Sequence, residues 1–410
     1  MATRGKDLPP EVLEKVLACL PVQDLCRFRV VCKAWNHLMS EPGFASLCAL
    51  APRQASYVLI TPKIVDLDLT KETDLEILDV AEKRFYSLCH PLFHSNSFRS
   101  DTDSDCQGDM FMKRKWRLTL AADKGLVYLL WISIGRRREW HIVCNPFSKS
   151  FHTIPKPVFQ INYNRESIVV MTVDNVTQRY RIVMLEERDN ITRPVDIYLY
   201  DSTTVKWRKL CGFPEFGYCA YSGTFLNGVF YVLFMNFVSV PWYPTLYSCN
   251  LENGAWSHID VDLPRPSHPQ DKSQLVVALG RLFIVEYTGI PRDYSTAWEL
   301  NRKPKKHVIK VGISEILLAE KEVNIWRMAE LRKYSKYPRK VVDEPRLMDH
   351  PPVAVGCGGL IVISSKFGPC VAWDLLKNRW LDLPTNTNHI AGNQGMYAGL
   401  VHLDMREMTS

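Results

Sequence analysis

No Cys-x-x-Cys pair occurs anywhere in the 410 residues. That absence removes the ordinary zinc frameworks and the dithiol redox motif. The twelve cysteines are scattered, mostly in apolar patterns, and read as buried thiols rather than a disulfide framework. Cys89-His90 with His94 and Cys106 is a loose cluster whose spacing fits no standard zinc site. The chain also lacks G-x-S-x-G, the phosphate-binding P-loop, the dinucleotide glycine fingerprint and H-E-x-x-H, so no familiar hydrolase, nucleotide or zinc-protease chemistry is indicated. The N-terminus carries Arg4, Lys6, Asp7 and Glu11 without an apolar core region, unlike a secretory signal. The most apolar run, Gly228 to Tyr243, is interrupted by Asn236, Ser239 and Pro241 and predicts a buried strand plus loop instead of a membrane span. A formal net charge of +7 over this length is too mild for a dedicated nucleic-acid binder. The expectation is a non-enzymatic chain, without cofactor or metal, in the nucleus or cytoplasm.

What is present begins at Asp7–Met39. Pro9 and Pro10 suit a first helical turn, where a missing N–H goes unnoticed, and Asp7 is a plausible N-cap. Val12, Leu13, Val16, Leu17 and Leu20 then share one helical face, up to Pro21. Asp24 opens a second helix carrying Leu25, Phe28 and Val31, and Cys32, Trp35 and Met39 continue into a third, which Ser40-Glu41-Pro42-Gly43 stops. So small a unit cannot bury all these apolar side chains. It serves either as a cap docked on the following domain or as a surface for a partner.

The order Leu8-Pro9, Leu20-Pro21-Val22, Asp24-Leu25 and Val31-Cys32-Lys33-x-Trp35 resembles an F-box. The resemblance implies a trihelical module over residues 1–50 that binds a Skp-type adaptor and, through it, a cullin-RING ubiquitin ligase. The adaptor-contacting positions it implies are Leu8, Pro9, Val12, Leu13, Leu20, Pro21, Leu25 and Val31, with Trp35 as the third helix's aromatic.

From about residue 55 the period changes from helical to alternating. Five segments place Asp or Asn six residues before an aromatic: Asp79/Phe85, Asn145/Phe151, Asp201/Trp207, Asn250/Trp256 and Asp374/Trp380. Trp326 fits as a sixth copy. The six aromatics are separated by 66, 56, 49, 70 and 54 residues, the period of a four-stranded propeller blade. Each acidic or amide side chain is expected to bond the N–H groups of the turn that follows it, and each aromatic to pack between blades. Tight turns such as Asn227-Gly228, Gly280-Arg281 and Gly358-Gly359 predict the inner hairpins. The predicted blades span about 55–92, 117–157, 167–214, 222–264, 273–331 and 353–384, and the late run Met396–Met405 returns to complete blade one.

This body, residues 51–410, resembles the kelch-like β-propellers of plant F-box proteins, so the expected fold is a trihelical F-box followed by a six-bladed kelch-like β-propeller. The kelch double glycine stands clearly only at Gly358-Gly359, and a seven-blade count or another F-box-associated β fold stays open. Long connections all fall on one face of such a ring, and recognition concentrates on long loops. They carry Arg136, Arg137, Arg138, Trp242, Tyr243, Lys303, Lys305 and Lys306, a basic and aromatic set of the kind found in interface hot spots. Solvated turns are the alternative. Three functions follow: a substrate-recognition subunit of an SCF-type ubiquitin ligase that binds an unidentified protein target, an F-box protein acting as a scaffold outside the ligase, or a propeller enzyme with a helical accessory module.

Overall fold

The computed structural model describes residues 8–20, 22–39, 41, 43–44, 47, 57–60, 64–66, 75–80, 82–88, 115–133, 138–145, 150–157, 167–174, 177, 179–185, 195–210, 212–236, 243–261, 263, 272–288, 310–318, 353–364, 370–384 and 401–403. Its helical stretches are α1 (Pro10–Ala18), α2 (Val22–Phe28) and α3 (Lys33–Leu38). The strands follow in chain order: β1 (Tyr57–Ile60), β2 (Ile64–Asp66), β3 (Leu75–Asp79), β4 (Arg84–Leu88), β5 (Lys115–Asp123), β6 (Leu126–Ser133), β7 (Arg138–Asn145) and β8 (Ser150–Thr153). Next come β9 (Ile168–Val173), β10 (Tyr180–Leu185), β11 (Ile197–Asp201), β12 (Lys206–Lys209), β13 (Tyr218–Leu226), β14 (Val229–Asn236), β15 (Tyr243–Cys249) and β16 (Trp256–Ile259). The last are β17 (Lys272–Ala278), β18 (Arg281–Thr288), β19 (Lys310–Ile316), β20 (Val353–Cys357), β21 (Leu360–Ser364), β22 (Val371–Asp374), β23 (Arg379–Asp382) and β24 (Val401–Leu403).

The strands form six antiparallel sheets, one per blade of a β-propeller. Blades three to six run sequentially outward from β9, β13, β17 and β20, and blade two runs outward from β5, whose other edge pairs with β2. Blade one is different: its order is β24-β1-β3-β4, so its innermost strand comes from the far end of the chain. Val58 pairs with His402 on one side and with Leu78 on the other. The inner strands neighbour one another around the ring, with β24 between β20 and β5. In blade five β19 is the outermost described strand, and Trp326 lies outside the described residues.

Separate apolar clusters sit between successive blades. Tyr128, Ile182 and Tyr200 join blades two and three, and Phe213, Phe230 and Val195 join three and four. Leu233 and Ile284 join four and five, Phe283 and Ile361 five and six, and Cys357 and Val58 six and one. A blade alternates by pleat, so the two sides of a sheet face different neighbours.

The outer hairpins carry the predicted turn chemistry. Asp79 Oδ1 accepts from Glu82 N–H at 2.9 Å, Asp201 Oδ1 from Thr203 at 2.8 Å, and Asn250 Oδ1 from Glu252 at 2.9 Å. Asp374 Oδ1 serves both Leu376 and Lys377. Trp207 packs into the cluster between blades two and three and donates its indole N–H to Pro155 O at 2.8 Å. Trp256 meets Phe213 edge-on at 5.2 Å. Phe151 departs from the pattern and is exposed.

The trihelical N-terminal bundle expected from the sequence is corrected. Only two helices, α1 and α3, are described with both caps. At nine, seven and six residues they are below the length at which a helix persists alone. What holds them is a small cluster of Leu17, Ala18, Met39 and Phe44, with Leu13, Leu25, Phe28 and Trp35 against it. α3 buries none of its own residues fully. The caps also differ from expectation. Pro9 is the N-cap of α1, without a side-chain bond. Cys32 is extended and caps α3, its Sγ accepting from Trp35 N–H, so it precedes that helix and is not part of it.

Candidate functional site

Two surfaces carry the predicted contact residues. On the helical segment Leu8, Val12, Val16, Val30 and Val31 are exposed, Val30 and Leu8 to 86% and 57%. Pro9 is exposed beside them, while Leu13, Leu20, Leu25 and Trp35 are half-buried around the small cluster. Pro21 lies outside the described residues. A core of four fully buried residues cannot take in the remaining apolar side chains, so they stand as an open apolar surface.

The second surface lies on the face of the ring that holds the long connections. Tyr243 opens β15 and is exposed, and Arg138 opens β7 and is exposed. Arg136, Arg137, Trp242, Lys303, Lys305 and Lys306 lie outside the described residues. Tyr243 is not alone. The buried Asn236 amide donates to Tyr218 Oη at 3.0 Å and to Tyr243 Oη at 3.4 Å. Tyr247 donates to Glu215 Oε1 at 2.8 Å, and Phe216 beside it is 60% exposed. Burial, then Glu215, pushes the Tyr247 and Tyr218 phenols up, so both remain neutral donors at ordinary pH. Neither Glu215 nor Asn236 is among the contact residues expected from the sequence, where Asn236 stands only as a break in an apolar run. The available signal was Asn236 as a lone amide ending an apolar strand, which has to be satisfied where it is buried.

The described inner strands enclose a central channel of about 1180 Å³. Its wall includes Leu120, Val169, Thr224, Val277 and Val355, and its rim on the tight-turn face carries Asp123, Lys124, Asp174 and Arg179. These rim groups are largely spent on the ring itself. Asp123 Oδ2 accepts from Val173 N–H at 2.8 Å, and Lys124 Nζ donates to Val173 O. Ser222 Oγ accepts from Leu275 N–H at 2.9 Å. Gln274 makes a paired contact with Ala354, donating to its O and accepting from its N–H, both at 2.8 Å. Such side-chain clasps tie the inner strands of blades two, four and five to the next blade, where no ladder hydrogen bonds exist.

Between blades two and three lies a buried polar group. Tyr128 Oη stands 2.6 Å from His141 Nδ1, with Glu139 Oε1 at 3.5 Å from His141 Nε2. Burial first, then Glu139, holds the Tyr128 phenol well above its usual range. Among the described residues no group of three His, Cys, Asp or Glu side chains could hold a metal ion. No described helix is long and apolar enough to cross a membrane.

A six-bladed ring preceded by short helices with an uncovered apolar face defines a propeller joined to a helical contact module. Residues 6–46 match the F-box domain, and residues 76–307 match the F-box associated beta propeller domain. The chain belongs to the F-box associated beta propeller family and carries an F-box ahead of the propeller. The kelch-like assignment is corrected accordingly: the propeller is of the F-box-associated type, and its blades hold together by interblade clusters and clasps, with a double glycine clear in one blade only. Both matched domains are known as non-catalytic adaptor modules. It is similar to the putative F-box protein At3g16210 of Arabidopsis thaliana, 27% identical over 230 residues, covering 55% of this chain and 54% of that protein. The putative F-box protein At3g23970 of the same plant is 24% identical over 339 residues, 75% and 77% of the two chains. Its F-box/kelch-repeat protein At3g23880 is 23% identical over 267 residues, 63% of each. The match thus spans about half the length of the first of these relatives.

Proposed function

We propose that the chain is the substrate-recognition subunit of an SCF-type ubiquitin ligase. The F-box takes a Skp-type adaptor, and through it a cullin-RING assembly, while the propeller holds a target protein. The observation that supports this most is the exposed apolar set Leu8, Val12, Val16 and Val31 within the segment that matches the F-box. Apolar anchors of this kind are worth burying against a partner groove. On the propeller, Arg138 and the Tyr218–Asn236–Tyr243 group on the long-connection face are the proposed target contacts, with Arg136, Arg137, Trp242, Lys303, Lys305 and Lys306 extending them in the sequence. The contribution to ubiquitin transfer is proximity: two binding sites on one chain raise the local concentration of target near the transferring enzyme.

The test is co-purification of adaptor and cullin with the wild type and with Leu8→Ala/Pro9→Ala. Loss of both partners, with unchanged propeller unfolding, is the expected result. Truncating fully desolvated anchors costs about 2 kcal/mol or more each, so the double variant should bind at least about a hundredfold more weakly. Adaptor without cullin would place the chain as a scaffold outside the ligase, and undiminished capture by the double variant would remove the F-box reading.

A further inference from the structure

Glu215 differs from other acids of the ring. Asp196 meets Lys209 at 2.9 Å, Glu252 meets Arg181 at 2.6 Å, and Glu315 is held by Arg281. Glu215 is half-buried in the connection between β12 and β13, and among the described residues its partners are phenols, with no cation in ion-pair reach. Tyr247 donates to its Oε1 at 2.8 Å. Burial first, then Glu215 beside it, pushes the Tyr218 phenol up. Phenol donors fix the orientation of a carboxylate without cancelling its charge.

The atoms around that charge are acceptors whose neighbouring donors are already spent. The Asn236 amide gives its N–H bonds to Tyr218 and Tyr243, and the Tyr247 hydroxyl gives its own to Glu215. The phenols are held from below by the fully buried Phe213, whose ring lies 5.4 Å from Tyr218 and 4.8 Å from Tyr247. Two rings stand open to solvent in the same group. Phe216 follows Glu215 in the chain, just before the left-handed Gly217 (φ 79°), and is exposed, as is Tyr243. A preorganised negative charge, phenol oxygens and exposed rings thus occupy one place on the long-connection face.

We infer that Glu215, with Phe216 and the Tyr218, Tyr243 and Tyr247 phenols, is a docking site for an arginine side chain of the target protein. A guanidinium carries the charge that Glu215 lacks, donates five N–H bonds and accepts none, which suits a group of acceptors. Its flat face stacks on an exposed aromatic ring while its edge meets a carboxylate. A lysine ammonium supplies the charge but has no face to stack. The inference rests on the reading that the long-connection face binds the target, and it names the chemistry recognised there. It does not depend on the adaptor or the ligase.

The experiment pans displayed libraries of random peptides, built around a fixed central Arg, Lys or Glu, on the immobilised full chain. Enriched peptides are then measured by fluorescence anisotropy. The arginine library should enrich above the other two. Its winners should bind Glu215→Gln at least about tenfold more weakly, with most of their salt dependence gone. Glutamine keeps an acceptor for Tyr247, so this variant should melt with wild type. A carboxylate that only braces the connection would change neither affinity nor salt response when made neutral. Phe216→Ala removes an exposed ring and should weaken the winners about threefold without loss of folding. Arg138→Glu, on blade two of the same face, should bind them as wild type does. Equal binding by Glu215→Gln, or stronger enrichment of the lysine or glutamate library, overturns the arginine site. Winners weakened by Arg138→Glu and not by Glu215→Gln overturn it while keeping the long-connection face as the target site. No enrichment from any library overturns both.

Discussion

Gly356 and Gly359 stand three residues apart in blade six, and alanine at the two should have opposite consequences. A Cβ on Gly356 would lie 1.7 Å from Val277 O and 2.6 Å from Val277 C. Carbon and carbonyl oxygen come no closer than about 3.3 Å without strain, so the inner strands of blades five and six would have to part by roughly 1.6 Å. Parting them breaks the paired Gln274–Ala354 contact, two hydrogen bonds worth about 1 kcal/mol each. It also overpacks the cluster that Val276, Ala278 and Ile361 share, at about 1–3 kcal/mol. Gly356→Ala should therefore lose about 3–5 kcal/mol. At Gly359 the nearest atoms to an added Cβ are side-chain carbons at ordinary contact distance. Gly359→Ala should stay within about 0.5 kcal/mol of wild type. The assay is urea unfolding followed by tryptophan fluorescence, to which the Trp373–Trp380 pair of blade six contributes. A Gly356→Ala midpoint within about 1 kcal/mol of wild type, or equal effects at the two glycines, would refute the account of how these blades meet.

Three further outcomes follow from single observations. A chain ending at Thr385 loses β24 and leaves the inner edge of β1 unpaired, so it should aggregate where the full chain stays dispersed in light scattering. Burial works to raise the Asp201 carboxyl, but the hydrogen bonds from Thr203 and the Arg181 guanidinium outweigh it and hold the group below the ordinary carboxylate range. A depressed pKa contributes stability above the unfolded value of about 3.9 that is lost as pH falls through the folded one. Asp201→Asn should therefore lower stability at neutral pH and flatten its fall in acid, measured by urea midpoints across that range. Burial pushes the Cys144 and Cys370 thiols up to about 12, whereas Cys19 and Cys32 are exposed. A thiol reagent at neutral pH should modify Cys19 and Cys32 in the native chain and reach Cys144 and Cys370 only after denaturation, as read by peptide mass mapping.

Residue order alone determined the features that are local or periodic. The Asp-to-aromatic interval marks an outer hairpin because a capped turn and the strand after it are built from neighbouring residues, and its recurrence makes a propeller readable before any contact is known. The Leu8-Pro9 to Trp35 run is legible as an F-box for the same reason. Tertiary structure decided whatever depends on residues far apart in the chain. Gln274 meets Ala354, Ser222 meets Leu275, and Val58 lies between Leu78 and His402; no spacing rule links such pairs, since ring closure brings them together. The helices had the right periodicity for a trihelical bundle, but period says which face is apolar and not which short segments close as capped helices. Leu279 and Leu376 are unremarkable turn-tip leucines in the sequence. They come together only because blades five and six set their turns against each other over Gly359, a juxtaposition made by packing and not by order.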